Sequence, residues 1–277
     1  MPLRSAPLPR MAGHLSFMRA QQKELIEVGA GDVAILGLPF EDPNAPNAGQ
    51  SLAPRALRET SVYFGWHANP QFSHPIDIDL RNNIETTGLH DRLCDLGDIP
   101  SGLDCQITAG LQNAVLNIKK AGANAIILGG SSRLVKSAKQ VLEGCQIVQL
   151  GGFKTCENSF AIAPVSTNNR HFETLRSQAE ISDFQQWRDP SRPLLIQFDL
   201  SVFQTSISVL CDQPRLDGLD LPKVVQWLRM LGSENAQVMF LTGLNPSRPG
   251  MGLVKVGQRL MVTALLPFIY SRLGFDG

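Results

Sequence analysis

Apolar residues in this chain gather in short unbroken runs, separated by stretches in which they recur at helical spacing. Val33-Ala34-Ile35-Leu36-Gly37 is a continuous apolar run stopped by glycine, the pattern of a strand buried on both faces. Similar runs lie at 125–128, 146–150, 193–199 and 237–241. Between them, Ile107, Leu111, Val115 and Ile118 recur at steps of three and four, which predicts a helix over 105–121. Further helices are predicted at 133–143, 221–231 and 253–273, and one starts near Pro54, a residue suited to a first helical turn. Leu93 to Asp98 reads as a strand edge and turn, Leu15 to Glu27 as a short amphipathic helix, and Phe172 to Trp187 as room for one or two helices. Glu41 to Gly49, with two prolines, two asparagines and a glycine, reads as a loop. Strands alternating with helices predict a mostly parallel sheet covered on both faces. With no internal repeat or clear linker, the division is an arm and short helix over 1–30 and one α/β domain over 31–277.

Composition narrows the partners. The 277 residues are 43% hydrophobic, enough for a sizeable core. Lys plus Arg and Asp plus Glu balance at 25 each, so no global field draws nucleic acid or an anionic membrane. A pI near 7.0 gives little colloidal repulsion and favours association. Cys94, Cys105, Cys145, Cys156 and Cys211 are odd in number and form no Cys-x-x-Cys pair, which points to free thiols in a reducing compartment. The proline-bearing Met1–Arg10 stretch has no apolar run behind it, and the longest apolar run, Leu260 to Tyr270, is short and contains Pro267. A soluble cytoplasmic protein is expected.

Two apolar strands end on glycine pairs, Gly129-Gly130 and Gly151-Gly152, where an open α/β sheet places its site. Such turns cradle phosphate with backbone N–H groups, but glycine is also what a tight strand exit needs, and that reading weighs more. Asp199, at the end of another strand, reads as a structural carboxylate before a catalytic one, since buried charges need partners. His67, His74, Asp77 and Asp79 lie close together, but in a proline-bearing stretch with no register to converge them. Cys156 reads as an inert thiol, Arg55 and Arg58 as helix-surface pairing residues, and Trp66, Trp187 and Trp227 as core or interface.

Five segments in order resemble the ureohydrolases, the arginase and agmatinase family. They are Ile35-Leu36-Gly37-Leu38-Pro39-Phe40 with Gly49 to Arg58, Asp95-Leu96-Gly97-Asp98, Leu128-Gly129-Gly130, Phe198-Asp199-Leu200, and Leu244-Asn245-Pro246. The resemblance spans roughly 33–272. It implies a three-layer α/β/α sandwich around a largely parallel sheet of about eight strands, with a trimmed peripheral strand in 156–192. It also implies a trimer or hexamer and a pair of manganese ions that activate water against a guanidinium carbon. The family's metal-binding turns are altered here. Gly-Gly-Asp-His-Ser becomes Gly129-Gly130-Ser131-Ser132-Arg133, with Ser132 at the histidine position. Asp-Ala-His-x-Asp becomes Gly151-Gly152-Phe153-Lys154-Thr155, and Asp-x-Asp becomes Asp199-Leu200-Ser201. The family's later Asp-Pro falls near Gln204-Thr205, and the acidic residue before its final Asn-Pro falls at Gly243. By this correspondence only Asp199 of the family's ligand set survives, too little for two hard divalent ions.

The expectation is therefore a catalytically inactive relative with no metal and no other cofactor. It acts through binding, regulation or oligomer partnership, as a homo-oligomer or with an active paralogue, and takes a possible small-molecule ligand but no nucleic acid or membrane. Its vestigial pocket comprises Asp199, Ser132, Arg133, Lys154, Phe153 and Ser201, with Arg133 and Lys154 expected to pair with Asp199 in place of metal. The alternative is a hydrolase of a guanidino or amidine compound whose metal ligands lie outside the three turns. A third reading, metal-free chemistry at Asp199, Lys154, Arg133 and Cys156, has the least support.

Overall fold

A computed structural model of the chain describes residues 15–43, 48–64, 92–100, 102–152, 159–162, 180–204, 218–247 and 251–274. Among the described residues eight strands form one sheet in the order β1-β3-β2-β4-β8-β7-β5-β6. They are β1 (Gln21–Gln22), β2 (Val33–Leu38), β3 (Leu93–Asp98), β4 (Asn124–Gly129), β5 (Gln146–Leu150), β6 (Ser159–Ala161), β7 (Leu194–Asp199) and β8 (Ala236–Thr242). Every described pairing is parallel. The α-helices among the described residues are α1 (Ala53–Ser61), α2 (Asp104–Lys120), α3 (Ser132–Val141), α4 (Ile181–Trp187), α5 (Leu221–Ser233) and α6 (Met251–Leu273).

Strand parity divides the core in two. Ile35, Ile126, Leu128, Val148, Ile196, Met239 and Leu241 pack with Phe17, Leu57, α5 and α6 on one face. Ala34, Leu36, Ala125, Ile127, Ile147, Leu195, Val238 and Phe240 pack with α2 and α3 on the other. Both faces of the central strands are covered, which is why these strands read as unbroken apolar runs. Among the described residues no helix is long and apolar enough to cross a membrane.

Residues 15–27 depart from the expected amphipathic helix. They form 3-10 turns at Phe17–Arg19 and Leu25–Glu27, with β1 between them. Met18 and Arg19 have φ of 50° and 57°, which a right-handed helix cannot continue through. Tertiary contacts hold that bend: Phe17 N–H donates to the Asp95 carboxylate at 2.7 Å and Met18 N–H to Ser61 Oγ at 2.7 Å, with both side chains fully buried. Asp95-Leu96-Gly97-Asp98 is not a turn but the last four residues of β3, paired with β2 across a register shift. The described part of 156–192 holds one three-residue strand and one seven-residue helix; Phe172 and the rest of 163–179 lie outside the described residues.

Candidate functional site

The carboxyl ends of β4, β5, β7 and β8 converge, as expected for an open parallel sheet. Three of the four strands run into positive-φ glycines: Gly129 (92°) and Gly130 (86°), Gly151 (76°) and Gly152 (97°), and Gly243 (81°). Asp199 ends the fourth and is 5% exposed.

Asp199 is held by its own turn and its neighbouring strand. One carboxylate oxygen accepts from Ser201 N–H at 3.0 Å and Ser201 Oγ at 2.7 Å; the other accepts from Thr242 Oγ1 at 2.6 Å. Asp199 thus caps the 3-10 turn Leu200–Val202. Ser201 Oγ in turn accepts Gly152 N–H at 2.8 Å, tying the β5 exit to the β7 exit.

A buried polar row continues from this point across the sheet. Gln197 Nε2 donates to Thr242 Oγ1 at 3.4 Å, Gln149 Nε2 to Gln197 Oε1 at 2.9 Å, and Ser159 Oγ to Gln149 Oε1 at 2.9 Å. Register makes the row: Gln149 lies beside Gln197 and Asp199 beside Thr242. Gln149 and Gln197 are both fully buried, and such groups persist only with partners. The sequence carried a signal for them, since each glutamine interrupts an otherwise apolar strand run, but their mutual pairing needed the strand order.

The expected ion pair between Arg133 and Asp199 does not form. Arg133 sits in the first turn of α3 and is half exposed. It pairs with Asp104 at the start of α2 at 2.7 Å, its guanidinium 5.2 Å from the Phe40 ring centroid. A surface carboxylate and an aromatic face satisfy it without the desolvation that burial beside Asp199 would cost. Ser132 opens α3. Phe153, Lys154, Thr155, Cys156 and Thr205, with His67, His74, Asp77 and Asp79, lie outside the described residues.

Glycine geometry decides whether two divalent ions fit. A Cβ on Gly243 would lie 2.5 Å from Asp199 Oδ1, so the Asp199 carboxylate occupies the space of a side chain at that position. A Cβ on Gly151 would lie 2.6 Å from Val202 N and 3.0 Å from Ser201 Oγ. At two positions where the resemblance puts an acidic ligand, the volume is already filled, and both backbones have the left-handed φ that side chains resist. The remaining carboxylate accepts three hydrogen bonds from protein donors. The described residues at these turns do not fit a dinuclear divalent site, and no group of three or more His, Cys, Asp or Glu among the described residues is placed to hold a metal ion.

The retained segments play a different part. Arg58, on α1, is not a surface residue but 4% exposed. Its guanidinium makes two bonds to Asp95 at 2.8 and 2.9 Å, one to Asp98 at 2.5 Å and one to Gly97 O at 2.8 Å. Burial alone would lower its pKa, but the Asp95 and Asp98 carboxylates outweigh this and raise it. Arg55 makes the expected surface pair, with Glu59 at 2.8 Å. Asn245, fully buried, donates to Ala48 O at 3.2 Å and accepts Ser247 N–H at 3.1 Å, against Gly49 with its φ of 120°. Glu41 accepts the backbone N–H groups of Gly49, Gln50 and Ser51 at 2.8, 3.3 and 3.2 Å. Burial would raise its pKa, but these bonds and the Ser51 hydroxyl outweigh it and lower the carboxyl below 4.5. Apart from Asp199, the quoted motifs are scaffold, locking helix starts and strand ends together.

Comparison with known proteins fits that division. The Arginase family model matches residues 31–135, which hold the first three segments. The chain superposes on the proclavaminate amidino hydrolase of Streptomyces clavuligerus with a TM-score of 0.66 at 17% identity, covering 96% of this chain and 99% of that one. A hypothetical agmatinase from Burkholderia thailandensis gives 0.69 at 16% identity, covering 97% and 94%. The agmatine ureohydrolase of Thermoplasma volcanium gives 0.67 at 15% identity, covering 95% and 96%. Each shares the architecture over nearly its full length. The chain therefore shares the arginase-type fold with these solved structures over nearly its whole length, and its segment 31–135 matches the Arginase family model.

Proposed function

We propose that this protein is a non-catalytic member of the arginase family, without the dinuclear manganese site, that works by binding: as a regulatory protein or an oligomer partner of itself or of an active paralogue. The observation that carries the reading is the filled volume at Gly151 and Gly243, where backbone and the Asp199 carboxylate stand in place of ligand side chains. Lost ligands on an intact frame leave a chain whose sheet, helices and interlocked loops are kept while hydrolytic chemistry is not. The balanced charge of 25 basic and 25 acidic residues supports partners other than nucleic acid or membrane.

The test is purification in the presence of manganese, measurement of metal per chain, and assay of urea release from arginine, agmatine and related guanidines, with co-purifying protein identified in parallel. Substoichiometric metal and no turnover are expected. Two manganese ions per chain with turnover would establish the alternative, a guanidino or amidine hydrolase with a rebuilt metal site.

A further inference from the structure

A second candidate site lies at the opposite end of the sheet. A cleft of about 350 Å³ opens at the amino-terminal end of β5, between the last turns of α3 on one side and Trp187 and Arg192 on the other. That volume lies within the range of small-molecule sites, about 300–1,000 Å³. Trp187 gives it a partly exposed aromatic wall, with Leu142 and Ile147 buried behind the lining. Lys139, Glu143 and Arg192 supply its charge.

The walls are fixed by bonds that leave these charges available. Arg192 Nε donates to Gly144 O at 2.5 Å and Nη2 to Cys145 O at 3.5 Å, which fixes its guanidinium at the cleft; Asp189, a carboxylate it acts on electrostatically, makes no ion pair with it among the described residues. Gln146 donates to Trp187 O at 3.0 Å and accepts from Arg188 Nη1 at 2.7 Å and Asp189 N–H at 2.9 Å, joining β5 to the α4 end. Trp187 is further held against Phe160 and Phe184, with ring centroids 5.4 and 6.0 Å away. The ion pairs among the described residues do not include Lys139, Arg192 or Glu143. Lys139 and Arg192 both act electrostatically on the buried Cys145 thiol, so their fields reach into the cleft. Two positive charges against one negative among the lining residues, set beside an aromatic wall, select an anion with an aromatic body.

We infer that this cleft is a binding site for a small aromatic carboxylate, its carboxylate held by Lys139 and Arg192 and its ring against Trp187. The inference stands apart from the fate of the catalytic site. Calorimetric titration of the full chain with 1-naphthoate, and with 1-naphthylmethylammonium as the oppositely charged probe, tests it. One naphthoate per chain is expected, with binding weakened about tenfold or more in Lys139→Glu. Glu143→Gln is expected to tighten binding about threefold by removing the like charge. Neither position makes an ion pair among the described residues, so thermal melting of the variants should match the parent. The inference is overturned if naphthoate shows no saturable binding, if Lys139→Glu binds it as tightly as the parent, or if the ammonium probe binds as well as the carboxylate.

Discussion

Replacing Gly243 with alanine adds one carbon where the Asp199 carboxylate sits, and so measures how firmly the space at these strand ends is closed. Two costs add. The φ of 81° is a left-handed conformation that costs a non-glycine residue about 1–2 kcal/mol. The new Cβ would stand 2.5 Å from Asp199 Oδ1, so the carboxylate must leave its place beside Ser201 and Thr242. Weakening hydrogen bonds to a buried charge costs about 1.5–3 kcal/mol. Together the loss is about 2.5–5 kcal/mol, or roughly 10 °C in melting temperature for a chain of this size. Gly144 separates the terms, because its φ is 69° but nothing lies within 4 Å of a Cβ there. Gly144→Ala should cost only the backbone term, about 1 kcal/mol. Urea denaturation of the two variants gives the difference directly. If Gly243→Ala loses no more stability than Gly144→Ala, Asp199 is free to move aside and the argument for a closed cavity fails. The companion Gly151→Asp/Gly243→Glu variant, which restores acids where the family has them, should be destabilised further and still bind no manganese at stoichiometry.

Three other outcomes follow from the scaffold. Arg58→Met strands Asp95, 1% exposed, and should cost about 3–5 kcal/mol; adding Asp95→Asn should recover part of it, giving a large coupling energy in a double-mutant cycle by urea unfolding. Glu41 has its pKa lowered in the folded state, so its stabilisation is full above the unfolded carboxyl value and is lost as pH falls through the folded one. Parent and Glu41→Gln should therefore converge in stability on acidification from pH ~6 to pH ~3, and a constant gap across that window would refute the role given to the Gly49–Ser51 amides. Burial pushes the Cys94 thiol up to about 11 and raises that of Cys145, whereas Cys105 is exposed. Iodoacetamide at pH ~8 should modify Cys105 in the native protein and reach Cys94 and Cys145 only after denaturation, as peptide mass spectrometry would report.

Much of the fold was legible because its determinants are local. The buried strands of a parallel sheet are continuous apolar runs, and helix α2 announces itself through Ile107, Leu111, Val115 and Ile118, all buried in the structure. The stretch at 15–27 was misread for the opposite reason. Its apolar residues have helical spacing, but Asp95 and Ser61, distant in the chain, hold Phe17 and Met18 in a bend that spacing cannot encode. Arg58 looked like a surface residue because nothing in its helix shows that β3 brings Asp95 and Asp98 to it.

The same line divides the candidate site. The sequence alone determined which residue types stand at these strand exits, Ser132, Gly151, Ser201 and Gly243 with the carboxylate of Asp199, positions that the resemblance aligns with the family's metal-binding turns. It could not determine what occupies the volume beside them, because that depends on atoms meeting across strands far apart in the chain. Tertiary structure turned Asp199 toward Ser201 and Thr242, sent Arg133 outward to Asp104, and set the backbone of Val202 where a side chain on Gly151 would lie. Residue identity is written along one dimension, whereas the space a side chain would need is fixed only once parallel strands and their turns have packed in three.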